Sequence, residues 1–468
     1  MTTPQPTTAA TTTPAVPSLY HLLPFAPNAE QRHALDQLVN FVQPQNPLHL
    51  CVLRGCAGTG KTSIIKALTD YLHQQQVEFR LAAPTGRAAQ IIGKKTGNGA
   101  RTVHATIFTP EMQEDGVIRF LPKTNPSDKF TIYIIDEASM LPDAINLGNE
   151  GFCQETSTLQ RLIAYVQEGN PNSKLIFLGD TNQLPPIENR SFSPALNLEY
   201  LQQRYHLDGI EILLNQIERQ QNGSYILENA ENLRNAIEHG IPMKTLRCRN
   251  LNSFSRGVQG YLHRMQQDNE NSAVMIAYTN KQVNAMNTWA RKFKYQYKDH
   301  EPLKAGEWLM LNQNTLKGND LLMRGTSFRV LEVRPSKPFA QLQFANAQLQ
   351  YTALDGQQKT IVSKILLNTL TNQAGHLSHE ANRLLVHEAI KHNRKYRESK
   401  NPQDDPFVGA LRVRYGYALT CHKAQGGEWE HVFLNPLFNR EDLKWCYTAI
   451  TRASQHLYSW PLSELNKN

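Results

Sequence analysis

Short apolar runs recur along the chain, and each ends at a polar or glycine-rich turn. They cover residues 48–53, 79–83, 130–135, 175–178, 273–278, 413–419 and 432–434. Short apolar runs of this kind predict buried parallel strands, which deliver functional loops at their carboxyl ends. Between many of them the apolar period becomes helical. Ile64, Ile65, Leu68 and Leu72 share one face, as do Ile226, Ala230, Leu233 and Ile237, with Ser224 as N-cap and Gly240 as stop. Strands alternate with helices, so the expected fold class is α/β.

Two stretches break the rhythm. Between 106 and 129, Asp115-Gly116 precedes Val117-Ile118-Arg119-Phe120, a pattern that predicts a small inserted β-hairpin. From about 301 to 409, the runs 308–311, 328–333 and 342–349 read as short strands, followed by a helix near 380–393. That segment predicts a second, partly β insertion.

Composition narrows the class. A chain of 468 residues is too long for one core, so two to four domains are expected. No apolar stretch approaches the roughly 20 residues needed to span a bilayer, which excludes a helical membrane protein. The first 18 residues are rich in Thr and Pro and lack both a basic start and an apolar core. They are not a secretory signal and are expected to be disordered. Six cysteines show neither Cys-x-x-Cys pairs nor metal-ligand spacing and read as reduced thiols. A cytoplasmic location follows as the expectation.

Lys and Arg total 49 against 41 Asp and Glu, a net charge of +8 that favours a polyanionic partner. Lys281, Arg291, Lys292, Lys294 and Lys298 are interleaved with Trp289, Phe293, Tyr295 and Tyr297. Such a stretch fits nucleic-acid contact, but taken alone it is better read as a solvated basic helix face.

The chemistry is carried by Gly55-Cys-Ala-Gly-Thr-Gly-Lys61-Thr62, which fits G-x-x-x-x-G-K-[ST] and lies between a predicted strand and a predicted helix. The amides of this turn and of the helix N-terminus, from Ala57, Gly58, Thr59 and Gly60 to Ser63, would cradle phosphate oxygens. Lys61 would neutralise the β- and γ-phosphates, and Thr62 would bind Mg²⁺. Asp136-Glu137 ends the run 130–135, some 75 residues after Lys61. Asp136 would hold the Mg²⁺ shell and Glu137 would activate water. ATP and Mg²⁺ are the implied cofactors.

The order of the remaining motifs resembles superfamily 1 helicases, in the 1B branch that contains RecD and the phage helicase Dda. Asn28-Ala-Glu-Gln31 resembles the Q motif. Ala83-Pro84-Thr85-Gly86-Arg87-Ala88-Ala89 resembles motif Ia, with Thr102-Val103-His104 after it. Leu178-Gly-Asp180-Thr-Asn-Gln183-Leu-Pro185 resembles motif III, and Leu214-Asn-Gln-Ile-Glu-Arg219-Gln220 resembles motif IV. Tyr417-Ala-Leu-Thr420-Cys-His422-Lys423-Ala-Gln-Gly426 resembles motif V, and Tyr447-Thr-Ala-Ile-Thr-Arg452-Ala453 resembles motif VI. The similarity runs from about 28 to 455. Motif V departs from the family by carrying Gly427 where Ser is frequent, and the insertion after Glu301 matches only loosely.

The resemblance implies two RecA-like P-loop domains with parallel sheets. The first spans 20–195, with the hairpin inserted at about 105–129, and the second is formed by 196–300 and 410–468. It also implies an SH3-like module within the insertion 301–409, on Gly306-Glu-Trp-Leu-Met310 and Arg324-Gly-Thr-Ser-Phe328. In the implied roles Gln31 reads adenine, Gln183 senses the γ-phosphate, and Arg219 and Arg452 complete the ATP site. Single-stranded DNA would contact Pro84, Thr85, Arg87, His104, the turn Tyr278-Thr279-Asn280, Thr420, His422 and Lys423. The implied activity is 5′-to-3′ unwinding by a monomer on duplex with a 5′ tail, with the hairpin as the pin. A translocase that does not unwind, a P-loop regulatory module and an RNA track remain open at this level.

Overall fold

A computed structural model of the chain describes residues 19–112, 118–145, 152–153, 156–189, 191–217, 225–243, 245–267, 272–296, 302–318, 320–353, 356–372 and 376–461. In chain order the strands of its N-terminal half are β1 (Leu50–Gly55), β2 (Glu78–Ala83), β3 (Ala100–Thr102), β4 (Phe108–Met112), β5 (Ile118–Pro122), β6 (Thr131–Ile135), β7 (Phe152–Cys153), β8 (Lys174–Gly179) and β9 (Gly209–Leu214). Six of them form one parallel sheet in the order β3-β2-β6-β8-β1-β9.

Side-chain alternation explains why these strands are apolar throughout. Cys51, Leu53, Ile132, Ile134, Ile176 and Leu178 face a core shared with α1 (Ala29–Phe41), α2 (Lys61–Gln74) and α3 (Gly86–Thr96). Leu50, Val52, Tyr133, Ile135, Leu175 and Phe177 face the opposite core, built with Leu159, Leu162 and Ile163. Each fully buried aliphatic side chain contributes roughly 1.5–3 kcal/mol, so both layers hold the sheet, and the loops after its strands are free to carry chemistry.

β4 and β5 pair antiparallel in the segment where the sequence predicts a hairpin, and β7 adds to β5 in parallel. The turn, including Asp115-Gly116, lies outside the described residues.

A second parallel sheet is ordered Arg249–Asn250, Ala453–Ser459, Trp429–Leu434, Ala273–Ala277, Ala418–Thr420. Between its parts lies a closed barrel of Trp308–Leu311, Ser327–Pro335, Phe344–Thr352, Gln358–Leu366 and Leu411–Tyr415. The run 413–419, expected as one strand of the second sheet, is therefore two strands. Leu411–Tyr415 closes the barrel, and only Ala418–Thr420 enters the sheet. The break falls at Gly416, whose N–H donates to Trp308 O, while Asn287 Oδ1 accepts from the Tyr417 and Ala418 amides.

The basic, aromatic stretch builds the joint between sheet and barrel. Arg291 is buried, donates to Glu307 at 2.7 Å and stacks 4.2 Å from the Tyr415 ring centroid. Lys294 donates to Gly306 O, while Trp289 and Phe293 pack against the shared core. Lys298 and Tyr297 lie outside the described residues.

Candidate nucleotide site and nucleic-acid interface

The turn between β1 and α2 needs its glycines. Gly58 and Gly60 both take φ +89°, a left-handed conformation that L side chains rarely adopt. A Cβ at Gly60 would also lie 2.7 Å from Gln31 Nε2. The turn wraps the Lys61 side chain, whose Nζ donates to Gly55 O at 2.5 Å and Cys56 O at 2.9 Å.

Asp136 and Glu137 follow β6, with the Glu137 amide donating to Asp136 Oδ1 at 2.9 Å and Glu137 itself at φ +51°. Burial, and then the charge of Glu137, push the Asp136 carboxyl up to about 6, against the opposing pull of Lys61 and Lys95.

These groups meet in one cleft of about 330 Å³. It is lined by Cys56, Ala57, Gly58, Gly60, Lys61, Thr62, Ser63, Asp136, Glu137 and Gln183 on the first sheet's side, and by Gly426, Gly427, Glu428, Thr451 and Arg452 on the second's. Glu137 Oε2 and Gln183 Oε1 are buried there without a hydrogen-bond partner among the described residues. Ammonium, turn amides, two carboxylates and a guanidinium fit a magnesium-bound nucleoside triphosphate, whose charge alternates in the same way. When bound, the Mg²⁺ ion would neutralise charge developing on the phosphates, and Thr62 and Asp136 would hold it.

Arg452 enters from the second sheet. It is buried, and it donates to Thr448 O, Gly427 O and Thr451 Oγ1 at 3.0–3.2 Å, all neutral acceptors. Arg219 lies outside the described residues. Gln31 sits beneath the turn: its side chain accepts from the Asn28 amide at 3.1 Å and donates to Thr59 O at 3.1 Å.

Sequence reasoning missed several neighbours. Phe25, Ile91 and Lys95 also line the cleft, and Lys95 pairs with Glu428 across it at 2.8 Å. Arg234, on the helix Tyr225–His239, brings its guanidinium to 3.6 Å from Cys56 Sγ. No motif pointed to any of these.

The candidate strand-contact residues fall at the carboxyl ends of neighbouring strands. Pro84 and Thr85 follow β2 and His104 follows β3, its hydrogen-bonded neighbour. Thr279 and Asn280 follow Ala273–Ala277, and Thr420, His422 and Lys423 end or follow the adjacent Ala418–Thr420. Thr85 and Thr279 are N-caps, accepting from Ala88 and Gln282 amides at 3.2 Å. Asn280 is exposed, His422 and Lys423 are half-buried, and Thr420 is buried. Two residues are occupied otherwise. Arg87 stacks 4.0 Å from the Trp429 ring centroid. The His104 ring packs against Phe108 and Phe120 at the base of the hairpin, and burial pushes its pKa down to about 4, which leaves it neutral at pH 7.

A phosphate-binding turn at the carboxyl end of a parallel sheet, with paired carboxylates and a buried arginine from a second sheet, defines a P-loop nucleotide-binding protein. A family model described as an AAA domain matches residues 26–240, and another described as a UvrD-like helicase C-terminal domain matches 415–458. The chain is 33% identical over 160 residues to the ATP-dependent RecD2 DNA helicase of Deinococcus radiodurans, covering 34% of this chain and 18% of that one. It is 24% identical over 334 residues to the ATP-dependent DNA helicase dda of Enterobacteria phage T4, covering 68% of this chain and 65% of the relative. It thus spans less than two thirds of either relative. A Pif1 helicase, from a structure described as two coordinating Pif1 helicases at forked double-stranded DNA, superposes with a TM-score of 0.50 at 17% identity. The alignment covers 93% of this chain and 92% of that one, and it shows a shared fold. The chain resembles superfamily 1B helicases of the RecD/Dda-like kind. Among the described residues no helix is long and apolar enough to cross a membrane.

Proposed function

We propose that the protein is an ATP-dependent DNA helicase that moves 5′ to 3′ on single-stranded DNA. The observation that carries this reading is the cleft itself: Lys61, Thr62, Asp136, Glu137 and Gln183 stand on one side and Arg452 on the other, so hydrolysis requires both sheets to close on one nucleotide. In this reading the two sheets are the cores of two RecA-like domains, and the barrel is the SH3-like module.

Glu137 orients and deprotonates the attacking water, Lys61 neutralises the phosphates, and Arg452, with Arg219 in the implied role, stabilises charge spreading over the transferred phosphoryl oxygens. Lobe closure is thereby tied to turnover. The single strand crosses the carboxyl ends of both sheets, held by Thr85, the Thr279-Asn280 turn, Thr420, His422 and Lys423. Hydroxyls, amides and cations there suit phosphate contacts, which are sequence-tolerant and so permit movement. The hairpin β4–β5 is the pin that parts the duplex, seated on the His104, Phe108 and Phe120 rings.

The test is ATPase and strand separation on 5′-tailed, 3′-tailed and blunt duplexes. Strand-stimulated hydrolysis with opening of the 5′-tailed substrate is expected. Hydrolysis indifferent to single strands would reject the reading.

A further inference from the structure

The loop 180–185 carries Gln183, and the second sheet's side holds it at two points. At one end the Ala57 amide donates to the Tyr447 hydroxyl at 3.2 Å, and that hydroxyl donates to Asp180 Oδ2 at 2.7 Å. At the other end the Leu184 amide donates to Thr448 Oγ1 at 2.8 Å, and Gln425 Nε2 donates to Leu184 O at 2.8 Å. Asp180 also organises the loop internally, accepting from the Asn182 amide at its carboxylate and from the Gln183 amide at its carbonyl. Gln183 is thus flanked by fixed points whose partners belong to the opposite sheet.

Tyr447 and Thr448 are neighbours on the helix Leu443–Ile450. Asp442 caps that helix by accepting from the Trp445 amide at 3.1 Å, and its other oxygen accepts from the Tyr278 hydroxyl at 3.2 Å. Tyr278 begins the turn Tyr278-Thr279-Asn280. One short helix therefore touches the phosphate-binding turn, the loop of Gln183 and the strand-contact turn. Tyr447 and Asp180 are 1% and 2% exposed, so water does not compete for their hydrogen bond. Burial, reinforced by the Asp180 charge, pushes the Tyr447 phenol well above its ordinary range, which keeps it a donor at every working pH.

We propose that Tyr447 and Thr448 are positioning residues that set the loop 180–185, so that a strand seated at the Tyr278 turn is read at the cleft through Gln183. This rests on the helicase reading above. A shift of the helix relative to the first sheet must carry Asp180 and Leu184 with it, because the hydrogen bonds are direct and the groups are buried. Gln183, between them, has no independent path.

The experiment uses the full chain with Tyr447→Phe, which keeps the ring, and Thr448→Val, which keeps the branching. ATP hydrolysis is measured with and without oligo-dT, alongside ATP KM, oligo-dT affinity and the thermal midpoint. Each variant is expected to lose about tenfold in strand-stimulated kcat, the scale of one hydrogen bond to a charged or buried group. KM and oligo-dT affinity should stay within about threefold of the parent. Thr448→Ser, which retains the hydroxyl, should recover most of the stimulation. The double variant should lose less than the product of the two single losses, since both act on one loop. Normal stimulation in both single variants overturns the proposal, as does a loss that follows the thermal midpoint or KM. If the parent chain itself ignores oligo-dT, the helicase reading fails before the variants are compared, and this inference falls with it.

Discussion

The guanidinium carbon of Arg87 lies 4.0 Å from the centroid of the Trp429 ring, so α3 of the first sheet is stacked on a strand of the second. The indole reaches that position only because residue 427 is glycine. A Cβ there would lie 2.4 Å from a Trp429 ring carbon. Gly427, the departure from the family pattern in motif V, is thereby explained by its neighbour two residues on. Gly427→Ser should cost about 1–3 kcal/mol through overpacking, read as a lower urea midpoint with an unchanged slope. Arg87→Ala should leave the salt dependence of single-strand binding as it is, because its cation is engaged with the ring. A shallower slope in this variant would return Arg87 to the strand-contact surface.

Lys61→Ala should remove hydrolysis while single-strand affinity stays within about threefold, on the scale of effects between distant sites. The Lys61 ammonium is enclosed by the turn that Gly55 and Cys56 begin, and the strand-contact candidates sit on other loops. Near-normal turnover would show that the cleft is not the hydrolytic site.

Arg452→Ala is expected to lower kcat by about 10³-fold or more with little change in KM, as for a cation that meets charge mainly in the transition state. The guanidinium is held on three neutral acceptors, so it carries its charge into the cleft unspent. A raised KM at constant kcat would assign it to ground-state binding.

What could be read from the chain alone was what is local in it. The phosphate turn is encoded within eight residues, and the doubly buried strands β1, β6 and β8 announce themselves as unbroken apolar runs. β9 escaped because Gly209 and Glu211 interrupt its run at a sheet edge. Gln358–Leu366 escaped because one side of the barrel wall faces water and its residues are half polar. The contacts that join the halves were illegible for a different reason. Tyr447 and Asp180 are 267 residues apart, and no local pattern records a hydrogen bond formed only after both sheets have folded. The basic stretch around Arg291 illustrates the converse, since its charges read as surface while its arginine is paired inside a joint.

Removing residues 113–118 and closing the gap should spare strand-stimulated hydrolysis and abolish duplex opening. The deletion shortens the tip of β4–β5 and leaves the Phe108 and Phe120 base in place. Equal loss of both activities would make the hairpin a structural element of the first sheet's domain.

Polarity is encoded by no single residue, and the proposed 5′-to-3′ direction rests on the resemblance to the RecD/Dda-like branch. The chain carries a short antiparallel pair after β3 and a barrel closed by Leu411–Tyr415, insertions that fit the proposed RecD/Dda-like reading, and that reading implies movement 5′ to 3′ on the strand held. Opening should therefore require a 5′ single-stranded tail. Cationic side chains that neutralise phosphates release counterions, so binding should weaken with salt at a log–log slope of about −0.7 per phosphate neutralised. Replacing Lys423 by Ala should make that slope shallower by about one such unit without altering the preference for tail polarity. Two duplexes that differ only in tail polarity, compared at one fixed salt concentration, decide the direction. Preferential opening of the 3′-tailed duplex would reverse the assigned polarity and leave the nucleotide cleft untouched.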